Sequence, residues 1–107
     1  MKISYYDICV NIFSKQFTDP LSLVEKSRSY GVEPIIVSSS VKDVNKIQDF
    51  LLQTNTYGTV GVHPHNADSV KESNLELIKS IASSNSHIIA IGECGLDYDR
   101  MFSTKSN

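Results

Sequence analysis

The chain has 107 residues, 40% of them hydrophobic and 21% charged, with a formal net charge of −2. This is ordinary globular composition, enough for one domain over residues 1–107. No stretch reaches the ~18 apolar residues of a membrane span, and the ten basic residues are scattered rather than gathered into the stripe of a broad DNA-binding face.

Near the N-terminus, Tyr5, Tyr6 and Asp7 stand where a secretory signal would place its apolar core. The expected location is cytoplasmic. Cys9 and Cys94 are too few for a disulfide framework, and as cytosolic thiols they stay reduced.

Strand and helix patterns alternate along the chain. Ile3 to Val10 reads as a strand rich in Ile, Tyr and Val. Asp19-Pro20 gives an N-cap followed by proline at the first helical position, and Leu21, Val24 and Tyr30 carry the helix to Gly31. Ile35-Ile36-Val37 is a second strand, ended by Ser38-Ser39-Ser40. Ser40 and Asp43 have capping-box spacing ahead of a helical stripe of Val44, Ile47 and Leu51. Thr59 to Val62 forms strand three, ending at His63-Pro64-His65. Ser69 and Glu72 repeat the capping-box spacing before Leu77, Ile78, Ile81 and Ala82.

Ile88-Ile89-Ala90-Ile91 is the fourth strand. A continuous apolar run of this kind is expected to be buried on both faces, as in a parallel sheet flanked by helices. The strands start at intervals of roughly 25–30 residues, the length of one βα unit. After Tyr98 the apolar pattern stops, and Ser103-Thr104-Lys105 resembles the lead-in to a fourth helix. The expected class is α/β, with four strands and three helices. A parallel sheet ending at its fourth strand would expose an apolar edge and invite self-association.

The chemistry gathers where the strands end. Glu93 follows strand four between two small residues, at the end of a parallel strand where α/β proteins place catalytic groups. The plainer reading is a solvated carboxylate on the rim. His63 and His65 flank Pro64, and they face the same way only if the chain stays extended, which the proline favours for His63. A polar loop without a ligand is the competing reading. Asp7, Cys9 and Asn11 alternate along strand one, which directs all three to one face. Cys9 could bind a soft metal as thiolate, but Cys9 and Cys94 both read better as small buried hydrophobes. Asp97 suits a turn, while Arg100 is either a surface residue or a phosphate contact beside Tyr98.

Three motifs occur in order: Asp7-Ile8-Cys9-Val10-Asn11, Gly61-Val62-His63-Pro64-His65, and Gly92-Glu93-Cys94-Gly95-Leu96-Asp97 after its apolar run. Together they resemble the TatD family of metal-dependent deoxyribonucleases. The resemblance implies the first four strands and three helices of a TIM-type (β/α)8 barrel, incomplete, since such barrels take roughly 250 residues. It implies that Glu93 is a divalent-metal ligand, with Mg²⁺ the first choice and Mn²⁺ or Zn²⁺ the alternatives. It places His63 near the substrate phosphate, and His65 is less constant among relatives.

Many relatives carry Asp-x-His-x-His where this chain has Asp7, Cys9 and Asn11; a subgroup with Asp-Ile-Gly-Val-Asn also lacks the histidines. The departure weakens any second metal site. The family's remaining ligands, two histidines and an aspartate from later strands, have no counterpart here. The implied function is metal-dependent hydrolysis of DNA, with this chain a truncated part that is inactive by itself. Two other readings stand beside it. One is an inactive half-barrel or self-associating scaffold, the other a related metal-dependent hydrolase of amides or esters.

Overall fold

The computed structural model describes residues 2–14 and 17–95, with Ser69 represented by its backbone. Asp97, Tyr98, Arg100 and the segment 103–105 lie outside the described residues. In chain order the elements are β1 (Tyr5–Val10), α1 (Pro20–Ser29), β2 (Val32–Ile36), α2 (Val41–Thr54), β3 (Tyr57–Val60), a 3-10 turn (Pro64–Ser69), α3 (Glu72–Ser84) and β4 (Ile88–Ile91).

Local chemistry sets the helix ends. The Asp19 carboxylate accepts the Ser22 N–H at 3.2 Å and Pro20 opens α1, while Gly31 takes the left-handed φ of +76° that ends it. Tyr30 lies exposed at this C-cap instead of extending the apolar stripe. At α2 the expected box is displaced by one residue. Ser40 makes no side-chain cap, and the Asp43 carboxylate accepts from the Ser39 N–H at 3.4 Å and the Ser39 hydroxyl at 3.3 Å. At α3 the cap is Lys71, whose N–H donates to Asn74 Oδ1 at 2.8 Å; Ser69 is spent within the preceding 3-10 turn.

The four strands are parallel and each pairs with the next, in the order β1-β2-β3-β4. Doubly wound sheets reverse direction at a switch point, whereas barrels add strands in sequence. The observed order is therefore that of a partial TIM-type barrel, as the resemblance implies. One core joins the helices to one sheet face. Val24, Val44, Ile47, Leu51, Ile78 and Ile81 pack in a cluster that includes Ile36, Val60 and Ile88. At the opposite end from the candidate site, Arg28 clasps three elements. Its guanidinium grips Glu33 through two bonds of 3.0 and 2.7 Å and donates to the Thr54 and Asn55 carbonyls at the end of α2.

Burial of β4 on both faces is corrected. Ile88 is buried, but Ile89 and Ile91 are 56% and 57% exposed. The apolar run encodes two faces fit for burial, yet α1, α2 and α3 share one core on one side. On the other side Tyr6, Ile8, Ile35, Tyr57 and Ile89 line an open apolar groove. Cys9 and Cys94 are corrected in the same way: both are exposed, Cys9 on a strand paired along one edge only and Cys94 beyond β4. Among the described residues, no helix is long and apolar enough to cross a membrane.

Candidate active site

Three strand ends are tied together by small polar residues. Ser38, fully buried just after β2, accepts the Gly61 N–H at 3.1 Å and directs its own hydroxyl toward the Gly61 and Thr59 carbonyls. Its carbonyl in turn accepts the Glu93 N–H at 3.4 Å. Gly92 completes the ties, donating its N–H to Val60 O at 2.9 Å and accepting the Thr59 hydroxyl at 2.8 Å. A buried backbone donor left without such a partner would cost ~1–3 kcal/mol, so these serine and threonine side chains determine where β3 and β4 exit the sheet.

His63 sits at the β3 exit. Its N–H donates to Ser39 O at 2.9 Å, and its backbone is extended (φ −60°, ψ 145°), as expected before a proline. Its Nδ1 accepts the His65 N–H at 3.1 Å, which makes His63 the cap of the 3-10 turn. A neutral imidazole with Nδ1 as acceptor carries its proton on Nε2. That atom faces Glu93 Oε1 at 3.9 Å, too far for a hydrogen bond but close enough for both groups to touch one ligand. Both side chains are about a third exposed or less, at 31% and 28%. The His65 ring packs edge-on against the His63 ring at 4.2 Å between centroids. The two histidines therefore meet, through a turn that begins immediately after His63 and not through continued extension.

Asp7, Cys9 and Asn11 do not form one row. The β1–β2 register shifts between Asp7 and Val10, which breaks the alternation, and Asn11 lies past the end of β1. Asn11 instead lines a polar cleft of about 550 Å³ with Ser39, Lys42 and Asn66. Asn66 Nδ2 donates to Ser39 O at 2.9 Å, the same carbonyl that anchors His63. Cys9 remains in electrostatic reach of the site. Partial desolvation of this exposed side chain first, and then the carboxylates of Glu93 and Asp7, push its thiol above the ordinary value, so it is a poor source of thiolate.

Glu93 offers a hard oxygen donor and His63 an imidazole. Among the described residues, however, no three His, Cys, Asp or Glu side chains gather as metal ligands. Glu93 and His63 are two of the four to six or more donors a divalent ion takes, so the pair fits as part of a ligand set and does not hold the ion by itself. Sequence reasoning brought His63 and Glu93 forward and missed Ser38, Ser39, Thr59 and Asn66. The available signal was three serines directly after a buried apolar run, read there only as a strand end.

Residues 6–107 match the family described as TatD related DNase. The chain belongs to the TatD-related DNase family. Curated relatives share its sequence at a similar level. The protein named 3'-5' ssDNA/RNA exonuclease TatD from Yersinia pseudotuberculosis serotype O:3 (strain YPIII) is 37% identical over 103 residues, covering 92% of this chain and 39% of the relative. The protein of the same name from Dickeya dadantii (strain 3937) has the same identity and coverage. That from Escherichia fergusonii is 32% identical over 102 residues. The chain thus spans about two fifths of the length of these TatD relatives.

Proposed function

We propose that this chain supplies the His63–Glu93 portion of a metal-dependent TatD-type nuclease that hydrolyses phosphodiesters of single-stranded DNA or RNA. The observation that carries the reading is the approach of His63 Nε2 to Glu93 Oε1, 3.9 Å apart at the C-terminal ends of adjacent parallel strands. Strand ends of this kind are where barrel enzymes assemble catalytic groups. The names of the curated relatives support the substrate class.

In this reading Glu93 is a carboxylate ligand to a divalent ion, Mg²⁺ before Mn²⁺ or Zn²⁺. The remaining ligands come from outside the described residues. When bound, such an ion acidifies water and offsets charge on the phosphate. The chain's own groups do the rest. His63, with its proton on Nε2, donates to a phosphate oxygen, and the His65 N–H fixes the ring that does so. Hydrolysis adds water across one P–O ester bond and leaves a phosphomonoester and a hydroxyl. In this reading the protein acts in the cytoplasm.

The test offers the natural protein a 5′-labelled single-stranded oligonucleotide, with Mg²⁺ and with chelator, beside a panel of small cyclic amides. Stepwise shortening that stops with chelator supports the reading. Turnover of amides without loss of DNA contradicts it and favours a related hydrolase.

A second reading, an inactive scaffold that self-associates, is favoured by the open groove of Tyr6, Ile8, Ile35, Tyr57 and Ile89. It predicts a dimer or larger species in light scattering and no hydrolysis. A monomeric protein that shortens DNA contradicts it.

A further inference from the structure

The polar cleft beside His63 takes no part in the chemistry described so far. It is formed by the β1 exit, the start of α2 and the 3-10 turn, with Asn11, Ser39, Lys42, Asp43 and Asn66 on its polar wall and Phe13 on an apolar one. Its volume of about 550 Å³ is within the range of small-ligand sites. Phe13 is held in place by an edge-on contact with Phe50, at 5.6 Å between centroids.

Resting on the nuclease reading above, the geometry points to this cleft as the seat of the nucleotide next to the one being cut, with Lys42 contacting its phosphate. Three observations carry this. First, one atom joins the two places: Ser39 O accepts both the His63 N–H and Asn66 Nδ2, so the cleft floor and the His63 backbone are anchored on the same carbonyl. Second, the lining carries amides, hydroxyls and one lysine, groups that contact sugar and phosphate, beside a single carboxylate, Asp43. Third, among the described residues no carboxylate lies within ion-pair distance of the Lys42 ammonium. The neighbouring acid, Asp43, is engaged through Oδ2 by the Ser39 N–H and hydroxyl. Lys42 is thus a binding residue for substrate length, separate from the groups at the reacting phosphate.

The experiment compares kcat/KM of the natural protein on a single-stranded oligonucleotide and on bis(p-nitrophenyl) phosphate, which has one phosphodiester and no neighbour. The preference for the oligonucleotide, taken as the ratio of the two, is expected to fall about tenfold in Lys42→Ala and to recover in Lys42→Arg. The salt dependence of oligonucleotide binding is expected to lose about 0.7 from its log–log slope, the share of one phosphate contact on a single strand. A ratio unchanged in Lys42→Ala, or an equal loss on both substrates, overturns the cleft assignment while leaving the nuclease reading intact. Hydrolysis of neither substrate by the unmodified protein overturns the nuclease reading, and the cleft assignment with it.

Discussion

Gly61 is packed so closely against the backbone of Glu93 that no side chain fits between them. A Cβ at position 61 would overlap the Glu93 carbonyl oxygen and lie 2.6 Å from the Gly92 carbonyl carbon. The glycine of the Gly-Val-His-Pro-His motif therefore sets the distance between the β3 and β4 exits, and through it the spacing of His63 and Glu93.

Gly61→Ala is expected to force those exits apart. The obstacle is backbone on the neighbouring strand, so flexible side chains cannot relieve it. Overpacking of this sort costs ~1–3 kcal/mol. A thermal melt should show the loss, and the nuclease rate, under the proposed function, should fall further than the melt alone explains. A variant with unchanged melting and rate would show that the β3–β4 spacing is not set at Gly61.

Arg28 makes a prediction about stability at the other end of the sheet. Arg28→Ala removes two bonds to Glu33 and leaves the Thr54 and Asn55 carbonyls without these donors. The expected loss is ~1–3 kcal/mol, discounted toward the lower end because the guanidinium is a third exposed. Arg28→Lys should restore little of it, since an ammonium cannot reproduce the planar fork. Urea unfolding midpoints of the two variants check this, and a full rescue by lysine would contradict it.

Cys9 predicts a pH dependence. Partial desolvation, then Glu93 and Asp7, raise its thiol above its ordinary value of 9.0 in the folded chain. The folded state thus favours the protonated form. This contribution to stability is complete below pH 9.0 and is lost as pH rises through the raised folded value. Alkylation of Cys9 by iodoacetamide, followed by mass spectrometry, should reach half its maximal rate at a higher pH than in an unfolded peptide. Glu93→Gln should bring that midpoint down. A midpoint at or below the peptide's would contradict the arrangement.

Much of the fold is legible in the sequence because helices and caps are local. Asp19-Pro20, the stripe of Val44, Ile47 and Leu51, and the pair Ile78 and Ile81 behave as their spacing dictates. The positions of His63 and Glu93 are legible for the same reason, each lying within three residues of a strand end. Exposure of Ile89, Ile91, Cys9 and Cys94 is not legible, because an apolar run records a capacity for burial and not what lies against it. The ties made by Ser38, Thr59 and Asn66 are invisible for a different reason. They join residues 21 to 33 positions apart, and a serine gives no sign in sequence of which distant carbonyl it will meet.

Glu93 is the residue on which the proposed metal-dependent nuclease site depends most. The most direct measurement is the rate at which the natural protein and its Glu93→Ala variant shorten a single-stranded oligonucleotide across a Mg²⁺ titration. The expected result is a loss of more than ~100-fold at limiting Mg²⁺, with the half-saturating Mg²⁺ concentration shifted upward and the thermal melt little changed. A variant that keeps the unmodified rate and the same Mg²⁺ dependence would contradict it.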